Sequence, residues 1–377
     1  MAEDSPATKL HMADVLGADV LGAGPLGAGP QGQGDATGGA LLHGGDLDGA
    51  RAAFPGAPLP WVDLSTGINP WPYPLPPVPQ DAWTRLPGRS EEAALRAAAA
   101  DCYGAPSAEL VAAASGSQAL IQLLPRLRAP GSVAVLGPTY AEHARCWALA
   151  GHDVRMAADV AEADILVVVN PNNPDGRRWP VARLLELAAA QAARGGWLVV
   201  DEAFADMRPE DSTAAHAGRP GLVILRSFGK FFGLAGLRLG IALTPADLAA
   251  ALREAIGPWA VSGPGLSIAT AALGDRGWIA ATRNRLTSAA AKLDRLLAGA
   301  GLRVVGGTDL FRLVEDDRAP ALYRALGESG ILVRRFEHRP DWLRFGLPGD
   351  DAAWRRLDDA LVRKQVWAMQ PCKMSAS

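Results

Sequence analysis

Five short runs in the middle of the chain, at 132–136, 165–169, 197–201, 222–226 and 239–243, are apolar at nearly every position. A strand with one wet face alternates apolar and polar residues. A run without alternation suits a strand buried on both faces. Between the runs lie Ala/Leu/Arg-rich stretches, such as 141–150 and 181–194, that read as helices. Strands alternating with helices imply an α/β protein built on a large, mostly parallel sheet. Ligands of such sheets sit beyond the carboxyl ends of the strands, so chemistry is expected there.

After about Gly257 the pattern changes. A long helical region at 266–297 leads into strands at 302–305, 310–314, 331–335 and 342–345, then a last helix at 351–367. That reads as a smaller α+β domain. The Pro-rich stretch 55–79 should cross the surface as extended chain, because proline interrupts helices and central strands. From Ala13 the chain reads ADVLG, ADVLG, AGPLG, AGPQG, a near-repeat too short for a solenoid unit and too rich in glycine for a core. The expected organisation is a disordered extension at 1–40, an arm and part of the small domain at 41–90, a large domain at 91–257, the rest of the small domain at 258–368 and a tail at 369–377.

Composition excludes several classes. Lys and Arg number 37 against 40 Asp and Glu, a net charge of −3, so no basic surplus draws a nucleic acid backbone. Cys102, Cys146 and Cys372 are far apart, without metal-ligand spacing, so no metal site is expected and a reducing cytoplasm fits. No apolar run approaches the roughly 20 residues that span a bilayer, and the start lacks the pattern of a signal peptide. A nucleotide-binding sheet is disfavoured, because neither a G-x-x-x-x-G-K-[ST] loop nor a G-x-G-x-x-G turn follows a strand.

Candidate chemistry collects at strand ends. Asp201 closes the run Trp197-Leu-Val-Val-Asp201-Glu-Ala-Phe204. Taken alone it suits a helix N-cap or turn residue first; the functional reading is a carboxylate that keeps a ring nitrogen protonated. Lys230 lies in Ser227-Phe-Gly-Lys230-Phe-Phe-Gly-Leu-Ala-Gly-Leu-Arg238-Leu-Gly240. A lone lysine is ordinarily a surface residue, but an apolar setting lowers the amine pKa, as a Schiff-base lysine requires. Ser227 and Arg238 flank it and are suited to grip a phosphate. Asn173 sits in the turn Asn170-Pro-Asn-Asn173-Pro-Asp-Gly176, where it offers an amide as well as shaping the turn. Gly116, Ser117 and Gln118 open a helical pattern; they serve as a cap or as an anion site. Tyr140 follows another strand and is able to stack on a planar ring.

In this order and spacing the residues resemble the class I/II aminotransferases over about 41–367. Asn173, Asp201, Ser227, Lys230 and Arg238 match that family's pattern. The resemblance implies an aspartate-aminotransferase-like fold and the cofactor pyridoxal 5'-phosphate (PLP) attached to Lys230. It implies that Gly116, Ser117, Gln118, Ser227 and Arg238 hold the cofactor phosphate, with Tyr140 on the ring face, Asn173 by the ring hydroxyl and Asp201 by the ring nitrogen. Arg344, in Trp342-Leu-Arg344-Phe-Gly, matches the arginine that holds a substrate carboxylate. A homodimer with an interfacial active site and a small phosphorylated amino-acid substrate are implied too.

Two branches of the family compete, the histidinol-phosphate aminotransferases and the threonine-phosphate decarboxylases of cobalamin biosynthesis. The opening His43-Gly44-Gly45, then Asp63-Leu-Ser-Thr-Gly-Ile-Asn69-Pro70, looks like the decarboxylases. So do Phe204 and Leu86, where the aminotransferases usually carry tyrosines. The resemblance then implies decarboxylation of L-threonine O-3-phosphate to (R)-1-aminopropan-2-yl phosphate, with His43, Gly44, Asn69, Arg334, Arg335 and Arg344 at the substrate. An inactive PLP-binding regulator is the remaining alternative; it would typically lack the lysine or carry a DNA-binding domain.

Overall fold

A computed structural model describes residues 44–362. The extension 1–40, His43, Cys372, the tail 369–377 and the end of the helix expected at 351–367 lie outside the described residues. Two sheets organise what is described. The large sheet has seven strands in the order β2-β8-β7-β6-β5-β3-β4. These are β2 (Val111–Ala114), β3 (Ser132–Leu136), β4 (Asp153–Ala157), β5 (Ile165–Val169), β6 (Trp197–Asp201), β7 (Leu222–Ser227) and β8 (Gly240–Leu243). Only β8 runs against its neighbours, so the carboxyl ends of the other strands share one edge. Every residue of β5 is buried. β6 and β7 are buried along nearly their whole length, which is what their unalternating sequence requires.

Alternate residues of these strands feed two core layers. Leu198, Val200, Leu222 and Ile224 face one layer, and Val199, Val223 and Leu225 the other. Burying a side chain of this size stabilises by about 1.5–3 kcal/mol, so the doubly covered strands carry much of the fold.

The small sheet has the order β1-β11-β12-β10-β9. Its strands are β1 (Val62–Leu64), β9 (Arg303–Thr308), β10 (Phe311–Glu315), β11 (Ile331–Phe336) and β12 (Arg339–Gly346). β1 pairs parallel with β11, and Val62 lies opposite Ile331. The stretch 55–79 is therefore more than surface chain. Proline does bar it from a central strand, but its proline-free segment supplies an edge strand, and Leu64, Ser65, Asn69 and Tyr73 are buried.

Three other differences from the sequence expectations have local causes. The helical region at 266–297 is two helices, Gly263–Gly274 and Arg276–Gly299; Asp275 separates them and its side chain caps the second by accepting the Trp278 N–H at 2.9 Å. β2 reads Val-Ala-Ala-Ala, a composition that favours helix. β4 is a largely exposed edge strand, so no apolar run announces it.

The two sheets meet at a glycine joint. A Cβ on Gly176 would lie 1.9 Å from the Gly307 carbonyl oxygen, and one on Gly306 would lie 2.1 Å from that of Asp175. The Gly307 N–H donates to Asp175 O at 2.8 Å. Backbone touches backbone there because no side chain intervenes. Among the described residues, no helix is long and apolar enough to cross a membrane, and no His/Cys/Asp/Glu group is placed to hold a metal.

Candidate active site

Along the shared strand edge the large sheet delivers Gly116 after β2, Tyr140 after β3, Asn173 after β5, Asp201 on β6, Ser227 at the end of β7 and Lys230 just after it. Lys230 sits in the short helix Phe228–Phe231 and is half-buried. Its Nζ lies 5.8 Å from the centre of the Phe204 ring. Burial pushes its amine down to about 8, helped by the Arg344 and Arg238 charges and opposed by Asp201. Asp201 is itself buried. Its Oδ2 lies 2.7 Å from His143 Nε2, and its Oδ1 accepts the Ala203 N–H at 3.0 Å. His143 is a site residue that sequence reasoning missed. Its one local signal is the spacing of three from Tyr140, which puts both on one face of the helix Glu142–Leu149 and its lead-in.

A second cluster forms where β2 and β7 end. Gly116 has φ +92°, and a Cβ there would lie 2.6 Å from Arg238 Nη2, so the guanidinium approaches bare backbone. Ser117 Oγ is 3.3 Å from Ser227 Oγ. A Cβ on Gly240 would lie 2.1 Å from the Ser117 nitrogen, so β8 also needs glycine to reach this turn. Two hydroxyls and a guanidinium make a donor set suited to a phosphate. The Gln118 side chain is engaged elsewhere. Its Nε2 donates to Glu142 Oε2 at 2.9 Å, and its Oε1 accepts from Tyr140 Oη at 3.1 Å. Burial, with Glu142 and Asp201 nearby, pushes the Tyr140 hydroxyl up to about 12, so it keeps its proton.

The small sheet supplies the other wall. Arg344 on β12 is buried, donating to Asn173 Oδ1 and, at 2.7 Å, to Ser65 O. Its guanidinium carbon lies 4.9 Å from the centre of the Phe311 ring. Burial and the Arg334 charge push it down to about 9, against the pull of Asp63. Arg334 on β11 is directly opposite Arg344 in the ladder, so both side chains leave the same face. Arg335 leaves the other face, as neighbours on a strand must, and lies 5.0 Å from the Tyr323 ring centre. The structure therefore brings Arg334, but not Arg335, to Arg344.

Asn69 is engaged within the chain. It donates to Phe231 O at 2.9 Å and accepts the Trp71 N–H at 2.9 Å, while its own N–H bonds Lys230 O at 2.9 Å. It fastens the lysine turn. Gly44 packs on the Ser65 carbonyl, which a Cβ would approach to 2.4 Å, and the Gly45 N–H donates to Ser65 Oγ at 2.7 Å. Ser65 thus ties the arm to Arg344.

The model of the family described as aminotransferase class I and II matches residues 80–361, more than half of the chain. A threonine-phosphate decarboxylase of Pseudomonas aeruginosa is 50% identical over 331 residues, covering 85% of this chain and 97% of that one. One from a Sinorhizobium species is 49% identical, covering 86% and 99%. A histidinol-phosphate aminotransferase of Xanthomonas campestris is 32% identical, covering 81% and 91%. Among solved structures, the histidinol-phosphate aminotransferase of Sinorhizobium meliloti in complex with pyridoxal 5'-phosphate superposes with a TM-score of 0.69 at 21% identity, covering 84% and 93%. On the matched family model and on these relatives, the chain belongs to the class I and II aminotransferase family.

Proposed function

We propose that the chain is a PLP-dependent lyase that decarboxylates L-threonine O-3-phosphate to (R)-1-aminopropan-2-yl phosphate, acting in cobalamin biosynthesis as a cytoplasmic homodimer. The observation that carries this is Arg334 opposite Arg344 on one face of the small sheet. Two guanidiniums held side by side suit a substrate with two anionic groups, and threonine phosphate brings a carboxylate and a phosphate. The identities of 50% and 49% to two decarboxylases, against 32% to the aminotransferase, support the same choice.

The residues present fit PLP. Lys230 has a depressed amine pKa, Asp201 is a buried carboxylate at a strand end, and glycine keeps the space beside Arg238 open. Lys230 would hold the cofactor covalently; Ser117, Ser227 and Arg238 its phosphate, with Gly116 leaving room beside the guanidinium; Tyr140, Asn173 and Asp201 its ring. When bound, PLP supplies a protonated ring that accepts the electrons released by the breaking bond between Cα and the carboxylate.

The chain's own residues do the rest. Asp201, oriented by His143, holds the charge of the ring nitrogen. Arg344, fixed by Asn173 and Ser65, orients the leaving carboxylate, and an anion there also relieves its repulsion with Arg334. Arg334 takes the substrate phosphate, and binding energy at that remote group aligns the scissile bond. Lys230, whose amine burial holds below its ordinary value, or a water returns a proton to the carbon that has lost CO₂. Exposed Leu75, Trp83, Leu86 and Trp259 support the homodimer, as large apolar side chains left in water by one subunit.

The test is an assay with threonine phosphate that measures CO₂ against keto acid. The expected outcome is one CO₂ per aminopropanol phosphate, independent of 2-oxoglutarate. Arg334→Ala should raise KM for threonine phosphate at least about tenfold and leave that for free threonine near wild type. Transamination of histidinol phosphate with 2-oxoglutarate, and no CO₂ from threonine phosphate, would replace this assignment with the aminotransferase.

A further inference from the structure

Beside Asp201 and Lys230 lies a buried ionic cluster that the mechanism does not use. Glu202 directly follows β6 and is fully buried, and Arg226 on β7 is 3% exposed. Arg226 Nη1 donates to Glu202 Oε2 at 2.9 Å, and its Nη2 lies 2.9 Å from Asp206 Oδ1. Glu202 Oε1 accepts the Thr213 N–H and hydroxyl, each at 2.7 Å, and Oε2 accepts the Ser212 hydroxyl. The Tyr103 ring covers the guanidinium carbon at 4.3 Å.

The placement of these groups is specific. The Glu202 N–H donates to Leu225 O at 2.8 Å, continuing the ladder in which Asp201 pairs with Leu225. Successive residues point to opposite faces, so Asp201 meets His143 on one side while Glu202 meets Arg226 and Tyr103 on the other. Arg226 in turn precedes Ser227, and Asp206 closes the segment that carries Phe204 under Lys230. One guanidinium therefore bridges the chain just after Asp201 to the strand that leads into Lys230. A buried ion pair is poor evidence for stability, because apolar residues of similar volume stabilise as well or better. What it adds is direction. A planar guanidinium bonded to two carboxylates admits one arrangement of the strand ends, whereas leucines would tolerate several.

Resting on the PLP assignment above, we infer that Glu202 and Arg226 are positioning residues, a clamp across β6 and β7 that fixes Asp201 relative to Lys230. Neither touches substrate or cofactor.

Glu202→Gln tests this with the fold preserved. The amide oxygen still accepts from Thr213, and Arg226 keeps Asp206 as a neutralising partner, but the amide NH₂ repels the Arg226 donors and opens the clamp. Arg226→Lys is the second variant, since one ammonium cannot bridge two carboxylates in a plane. In both, holoenzyme with full cofactor content is expected to keep KM within about twofold and to lose about tenfold or more in kcat. The pH midpoint of its visible absorption band should move by at least roughly half a unit. A structural role would lower the melting temperature and leave kcat per folded, loaded site and the band midpoint unchanged; that result in whichever variant folds overturns the clamp. If the band midpoint and turnover respond as expected but the wild type yields keto acid rather than CO₂, the clamp stands and the decarboxylase assignment falls.

Discussion

Lys230 is surrounded by groups that oppose its proton. Burial, Arg344 and Arg238 all push the amine down, and Asp201 alone among its neighbours pulls it up. The pH consequence has a definite sign. The amine titrates at about 8 in the fold against an ordinary 10.5, so between those values the unfolded chain holds a proton that the folded one has released. Its contribution to stability is least below pH 8 and grows as pH rises through that window. In the cofactor-free protein, acylation of Lys230 followed by mass spectrometry should show a midpoint near pH 8; one near 10.5 would contradict the site electrostatics. Lys230→Ala should abolish both covalent cofactor attachment and nearly all turnover, and wild-type turnover in that variant would remove the lysine from the mechanism.

The glycine joint decides how the turn after β5 meets β9. Gly176 has φ +72° and no room for a Cβ, so Gly176→Ala imposes backbone strain and a clash together. It should destabilise by about 1–3 kcal/mol in urea unfolding. It should also weaken substrate binding, because Asn173, three residues earlier, bonds Arg344 across the same boundary. An unchanged unfolding midpoint would mean the joint yields without cost. Elements and sites differ here in how far the sequence discloses them. β5, β6 and β7, and the residues at their ends, are legible because an apolar run and the residue that stops it are adjacent in the chain. The His143 contact spans 58 residues and the Ser65 contact to Arg344 spans 279, so no local pattern signals either. Arg334 and Arg335 are indistinguishable in sequence; only the register of β11 with β12 decides which faces the site. β1 is hidden for a related reason, being three residues that make a strand only because β11 offers an edge.

At the scale of the whole chain, Ala50 is the first buried residue among those described, and the Gly/Pro-rich composition of residues 1–40 lacks the apolar surface a core needs. A truncation starting at Leu41 should keep both melting temperature and turnover, and a large loss of either would show that the repeat packs against the rest. Chain order has a further consequence during synthesis. The large sheet is complete once Leu243 has been made, but β1 must wait for β11, and Ser65 for Arg344. At ribosomal rates of roughly 5–20 residues per second, that leaves the edge formed by Val62 unpartnered on the order of tens of seconds. Over that interval a nascent chain already able to assemble its cofactor-side strands has no finished substrate wall, so a stalled ribosome would display half an active site.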